Sequence, residues 1–306
     1  MSVAVDRRAG NAGLRPGPWD PRVGDRGLTA DELDELGLPL GPGSLTWDLL
    51  GDVRSILLAQ RAGILQNLHP VISQALVDQS NVWRDPLGRL MRSAGPILGV
   101  VYDAEGADTG GTVRDVHRGV RGRDPAGRSY HALDPEAFYW AHATFFESQI
   151  ATQRLFGTPL SVEQEEQLYR ESITWYARYG LSLRPVPRTY EAFRVYWAAM
   201  FERVLQATPV ARYGLRPIPH QPSPEGLLPD PLWWLTRPAV VHAVPWLGRV
   251  TLPREARRLL GVRRSPGDLV ALHALRASVR RSWPLVPEPQ RRAARARAAD
   301  RRLGLA

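Results

Sequence analysis

Apolar residues recur at helical spacing through most of the chain. Val53, Ile56, Leu57, Ile64, Leu65 and Leu68 fall three, four or seven apart, which gathers them on one face of a helix rather than on alternate faces of a strand. Pro70 ends or kinks that helix and can open the next from its first position. Asp85-Pro86 starts another, with Asp85 as cap and Leu87, Leu90 and Met91 facing inward, and Pro96 limits it to about three turns. The short apolar run at 97–102 reads as strand or buried helix. The glycine-rich stretch from Asp103 to Gly111 reads as a turn, and Thr112 opens a helix that Gly122 closes. Asp134, Pro135 and Glu136 start a long aromatic helix running to about Phe156. Ser161 and Gln164 form a capping box for a helix ending near Gly180, and Thr189 begins one that reaches about Leu205. Strands are scarce, and no repeat of roughly 20 to 50 residues recurs. The expected fold class is all-α, a single large helical domain.

The two ends differ from this body. Residues 1–43 form a Gly/Pro-rich N-terminal extension with one helical island at Thr29 to Leu36, expected to wrap a catalytic domain at 44–250. Within that domain, 208–250 reads as an irregular Pro-rich crossing whose Trp233, Trp234 and Trp246 are pinned to the core. Residues 251–306 read as two or three basic helices packed on the domain or trailing it.

Composition narrows the function classes. Hydrophobic residues make up 43% and charged residues 23% of the 306, ordinary globular usage that excludes disorder for the body. No run approaches the ~20 apolar residues of a membrane span, and the N-terminus lacks the apolar core of a secretory signal, so a cytoplasmic location is expected. There is no cysteine, which removes thiolate chemistry, and no lysine, which removes Schiff-base and P-loop lysine chemistry. The net charge of +9 is local: residues 254–302 hold 14 arginines against four acids, leaving the remainder nearly neutral. A nucleic-acid partner is therefore not expected. The basic C-terminus reads first as solvated helix and second as a site for an acidic partner or lipid surface.

Standard catalytic signatures are missing: there is no GxSxG elbow, HExxH, Walker motif or helix-opening GxGxxG. What stands out is that His69, His117, His131 and His142 lie on or beside expected helices. Arg114 and His117 are three apart on one helix face, flanked by Val113, Val116 and Val120. A neutral imidazole on an apolar face suits the axial bond of haem iron, and Arg114 and Arg121 can grip haem propionates; the same features suit a half-buried structural histidine. Arg89, Arg92 and Ser93 offer donors on successive turns for developing negative charge, or simply a solvated helix face. His131 reads as a structural hydrogen-bond donor and His69 as the cap of a turn. A non-haem metal site built from these histidines lacks the spacing of a facial triad.

Taken together, LHP at 68–70, DPLGRLMRS at 85–93, VRDVHRGVRG at 113–122, YHALDPEAFYWAHAT at 130–144, LSVEQEEQLYRE at 160–171 and VPRTYEAFRVYW at 186–197 form an ordered set. The set resembles the oxygenase family of the fungal MpaB enzymes and the bacterial latex-clearing proteins, over roughly residues 44 to 250. The resemblance implies a distantly globin-like helical core, a b-type haem, and dioxygen-dependent oxidative cleavage of an alkene in a hydrophobic, isoprenoid-like small molecule. The family's proximal histidine falls on His117 with Arg114, as the metal ligand. Its distal Arg-x-x-Lys-Thr element falls on Arg89, Arg92 and Ser93, and His142 matches the bacterial members, as a cofactor contact or as a residue that holds two helices together. Two departures stand out. Arg92 replaces a lysine able to cap the iron, whereas arginine stays protonated and cannot ligate. The family's upstream acid has no counterpart near Ser73 and Gln74. The departures leave room for a haem-binding or interaction protein that keeps the fold without catalysis.

Overall fold

α7 (Pro135–Phe156) is the axis on which the other helices assemble. Its start is fixed locally: the Asp134 carboxylate accepts from the backbone N–H groups of Glu136 and Ala137, and Pro135 occupies the first position. Three faces of α7 are then used. Trp140 donates its indole N–H to the Leu65 carbonyl at 3.0 Å, fastening α3 (Ala59–Asn67). His142 bonds the Ser172 carbonyl of α8 (Val162–Ala177). Phe146 lies between Tyr169 and Phe193, which brings in α9 (Tyr190–Arg203). Trp140, Phe146 and Trp175 are fully buried, and burial of each such side chain stabilises by roughly 2 to 3 kcal/mol.

The computed structural model describes residues 27–80, 82–223 and 229–305. Among these the chain forms fourteen α-helices and one two-stranded hairpin, an all-α fold. A smaller core of Leu58, Phe156, Val250 and Leu272 joins the end of α7 to α11 (Asp230–Thr251) and α13 (Pro266–Ser282). Between the two cores the buried Arg61 guanidinium is held by both oxygens of Glu147 and by the Thr251 carbonyl. Residues 27–44 lie on α8: Leu38 donates to the Arg170 carbonyl, and Arg170 returns a bond to the Leu36 carbonyl at the end of α1 (Leu33–Leu36). The rest of the expected extension, 1–26, lies outside the described residues.

Several boundaries depart from the sequence pattern. α5 (Pro86–Tyr102) is 17 residues long and continues through Pro96. Pro96 is exposed, so water can serve the carbonyl that loses its helical partner. The ambiguous run at 97–102 is the buried end of this helix. α6 (Thr109–Asp115) starts before Thr112 and stops short of His117, which sits in the following turn instead of on the helix. Gly122 belongs to β1 (Arg121–Arg123), paired antiparallel with β2 (Ser129–His131). The hairpin wins over a longer helix because its loop is self-bonded: Asp124 accepts from the N–H groups of Ala126 and Arg128, and Gly127 takes φ +79°. Val116 is accordingly 68% exposed, so the apolar flank expected of three valines reduces to buried Val113 and half-buried Val120.

The expected irregular crossing is largely helical: α10 (Pro209–Tyr213) and then the 22-residue α11, with Pro238 and Pro245 inside it. Trp233 is buried and Trp246 bonds Asp268 at 2.9 Å. Trp234 is not pinned to the core; it is 61% exposed under the Arg237 guanidinium. α12 (Arg254–Leu260), α13 and α14 (Ala294–Arg302) complete the chain.

Candidate functional site

α6 is seated against the end of α8 by glycine. A Cβ on Gly110 would lie 1.9 Å from the Arg178 carbonyl oxygen, so only glycine permits the approach. One turn past the helix end, the half-buried His117 places Nδ1 2.7 Å from the Val113 carbonyl oxygen. A carbonyl only accepts, so Nδ1 carries a proton, and in the neutral form of the ring Nε2 holds the lone pair. No described residue bonds Nε2. A histidine that ligates a metal holds its ring in this way, giving its second N–H to a carbonyl or carboxylate. The edge of Phe138 packs on the ring, centroids 5.7 Å apart and planes at 82°.

From Phe138 an aromatic wall runs inward along α7 and α8. Phe138 contacts Tyr179 at 5.2 Å, and His142 lies 5.2 Å from Tyr176 and 4.7 Å from Trp175. Arg114 reaches the same place from α6, donating to the Tyr179 carbonyl at 3.4 Å and to Asp115 at 2.7 Å. The structure therefore gathers His117, Arg114 and His142 around the last turn of α8. His142 is buried, with Nε2 donating to Ser172 and Nδ1 without a partner; burial lowers its pKa from 6.5 to about 3 and keeps it neutral. It ties α7 to α8 from within the core.

The aromatic helix from Phe138 to Phe146 could be read from the sequence as pocket wall or plain core, but sequence reasoning missed Tyr176, Tyr179 and Glu136. The signal available was spacing: Phe138 and His142 are i, i+4 on α7, and Tyr176 and Tyr179 are i, i+3 at the end of α8. Tyr176 OH, Tyr196 OH, Trp175 Nε1, Glu136 Oε2 and His142 Nδ1 are buried without hydrogen-bond partners among the described residues. Burial raises the pKa of Glu136, and Arg184 partly offsets this. Orphaned polar atoms of this density mark where a ligand or water belongs, since each costs about 1 to 3 kcal/mol if left bare.

The three candidates on α5 differ in availability. Ser93 Oγ donates to the Arg89 carbonyl of its own helix, and Arg92 pairs with the capping residue Asp85 at 2.9 Å. Arg89 is half-buried and meets neither an acid nor a carbonyl among the described residues; burial and the nearby Arg92 lower its pKa. α5 packs beside α6, yet none of the three bonds the His117 ring. Arg121 lies exposed on β1. His131 bonds the Arg118 carbonyl, as a structural donor. His69 precedes α4 (Pro70–Gln79) but does not cap it with its side chain; the ring is buried and its pKa falls to about 4 through burial.

Two clefts open elsewhere, near Trp83 and near Val241, and neither is bounded by His117, Arg114 or His142. Among the described residues no three His, Asp or Glu side chains gather as a metal site, and no helix is long and apolar enough to cross a membrane. Residues 47–281 match the family described as ER-bound oxygenase mpaB/B'/rubber oxygenase, catalytic domain. Comparison with curated proteins gives no match, and neither does comparison with solved structures.

Proposed function

Because the chain belongs to the oxygenase family of the mpaB/B' and rubber oxygenase catalytic domains, we propose that it is a haem b-dependent oxygenase acting with dioxygen on a hydrophobic, alkene-containing small molecule. The observation that carries the haem assignment is the His117 tautomer: Nδ1–H given to Val113, Nε2 free. A single imidazole so held suits a metal that brings most of its own ligands, as porphyrin iron does. Haem, when bound, supplies the activation of dioxygen.

The chain's own residues do the rest. Val113 and Phe138 fix the direction of the His117 ring. Arg114 and the exposed Arg121 are the cations on the His117 side available to carboxylates, Arg114 after exchanging its bond to Asp115. Arg89, half-buried and without an acid partner among the described residues, is the cation that would be available to stabilise negative charge developing in the reaction. Arg92 and Ser93 join it only by giving up Asp85 and the helix carbonyl. That engagement favours a second reading, in which haem is held and catalysis is lost.

Purified protein reconstituted with haem is expected to show a Soret band that His117→Gly loses and added imidazole restores, with the far-ultraviolet dichroism unchanged. An undiminished, spectrally identical band in His117→Gly removes the assignment. Oxygen uptake on adding a soluble terpenoid alkene separates the two readings: uptake abolished in Arg89→Gln supports the oxygenase, and a Soret band without uptake supports the haem carrier.

A further inference from the structure

The larger cleft, of about 460 Å³, lies between the turn after α4, the end of α10 and the segment 216–220. Its apolar corner is built: the rings of Trp83 and Tyr213 meet edge to face at 4.9 Å, and Tyr213 OH donates to the Trp83 carbonyl at 2.8 Å. Ile218 and two prolines extend that wall. Arg84, Arg216 and His220 supply the polar part, and all three are exposed. Neither guanidinium meets an acid or a carbonyl among the described residues. The neighbouring acid, Asp85, is taken up by the Gly88 N–H at 2.9 Å, by Arg92 at 2.9 Å and by Gln221 at 2.7 Å.

Arg216 and Ile218 also border the smaller cavity of about 40 Å³, whose other lining includes Leu87, Val240 and Val244 together with Gln60 and Gln221. Exposed cationic groups thus share the cleft with an apolar wall. The larger volume is in the range of small-molecule sites, in which apolar walls supply affinity and a few polar groups set orientation. Arginine is the side chain suited to a planar or tetrahedral oxyanion.

We propose that this cleft binds an amphiphilic anion, with its carboxylate or phosphate head between Arg84 and Arg216 and its apolar body against Trp83, Tyr213 and Ile218. The site shares no residue with the surroundings of His117, so it stands whether or not haem binds there. The smaller cavity, which shares Arg216 and Ile218 with it, touches the first turn of α5, the helix that carries Arg89.

Titration calorimetry of the full-length protein with decanoate, decyl phosphate and decanol tests the assignment. At least one anion is expected to bind tenfold or more tighter than the alcohol, and the preferred anion identifies the head group. The surface variant Arg84→Gln/Arg216→Gln should weaken the anions at least tenfold, leave decanol unaffected and keep the wild-type melting curve. Ile218→Asp should weaken all three. Equal binding of anion and alcohol, anion binding unchanged in the double variant, or no heat from either anion at millimolar concentration would each overturn it.

Discussion

His69 and His142 are imidazoles that the core holds uncharged, and this couples stability to pH. Burial lowers their pKa values from 6.5 to about 4 and about 3. The unfolded chain therefore binds their protons first as the pH falls. Their cost is absent above about pH 6.5, grows below it, and levels off only below the folded values. At about pH 5 each contributes on the order of 2 kcal/mol of destabilisation. Glu136, whose pKa is raised, acts with the opposite sign. Urea unfolding at pH 7 and pH 5 should therefore show a marked loss of stability, with a smaller loss in His142→Gln, which keeps a donor for Ser172. A variant with the wild-type pH dependence would show that His142 titrates normally in the fold. His117 itself could be singled out from Arg114-Asp115-Val116-His117, and the fold gives its ring a bond from Nδ1 to the Val113 carbonyl. The loss of Arg92 and Ser93 to local partners was not legible, because both bonds are made within α5 and its cap and look the same in sequence as free side chains.

Helices α7, α8 and α9 start at Asp134, Ser161 and Thr189, the residues whose side chains cap them, so these beginnings could be read directly. The proline rules failed in α5 and α11. In α5 the reason is tertiary: α14 grips the helix on either side of Pro96, with Arg295 donating to the Gly95 carbonyl at 2.9 Å and to Asp103 at 2.8 Å. Packing thus outweighs a local penalty of up to ~3 kcal/mol. The hairpin was missed because β1 is Arg-Gly-Arg and has no apolar alternation to announce it. If Pro96 is tolerated rather than required, Pro96→Ala restores a donor at an exposed site and should stabilise the protein by about 1 to 3 kcal/mol, read as a raised melting temperature. A lowered melting temperature would mean that the helix is bent at Pro96 to suit its neighbours.

At the scale of the whole molecule, the basic C-terminus is largely spent on the chain itself. Of the 14 arginines in 254–302, nine donate from their guanidinium groups to carbonyls or carboxylates of this protein. Net charge is blind to such use, so the acidic or lipid partner it suggested rests on Arg254, Arg258, Arg263, Arg281 and Arg301, spread over three helices and the turn between α12 and α13. The strongest internal use is the clamp around Asp300. This buried carboxylate accepts from the Trp47 indole at 3.1 Å and from Arg292 at 2.6 Å, while the Ala293 N–H bonds the Gly51 carbonyl at 2.7 Å. α14 is thereby fixed to α2 (Leu45–Leu50), with Trp47 and Asp300 separated by 253 residues in sequence. Asp300→Ala strands both a buried indole N–H and a guanidinium, and should cost about 3 kcal/mol in urea unfolding. Asp300→Asn keeps an acceptor for Trp47 and should cost roughly half as much. Equal and negligible losses in the two variants would mean that α14 is held by Ala296 and Ala299 packing alone. The basic helices would then rest on apolar contact, leaving their arginines free for a partner after all.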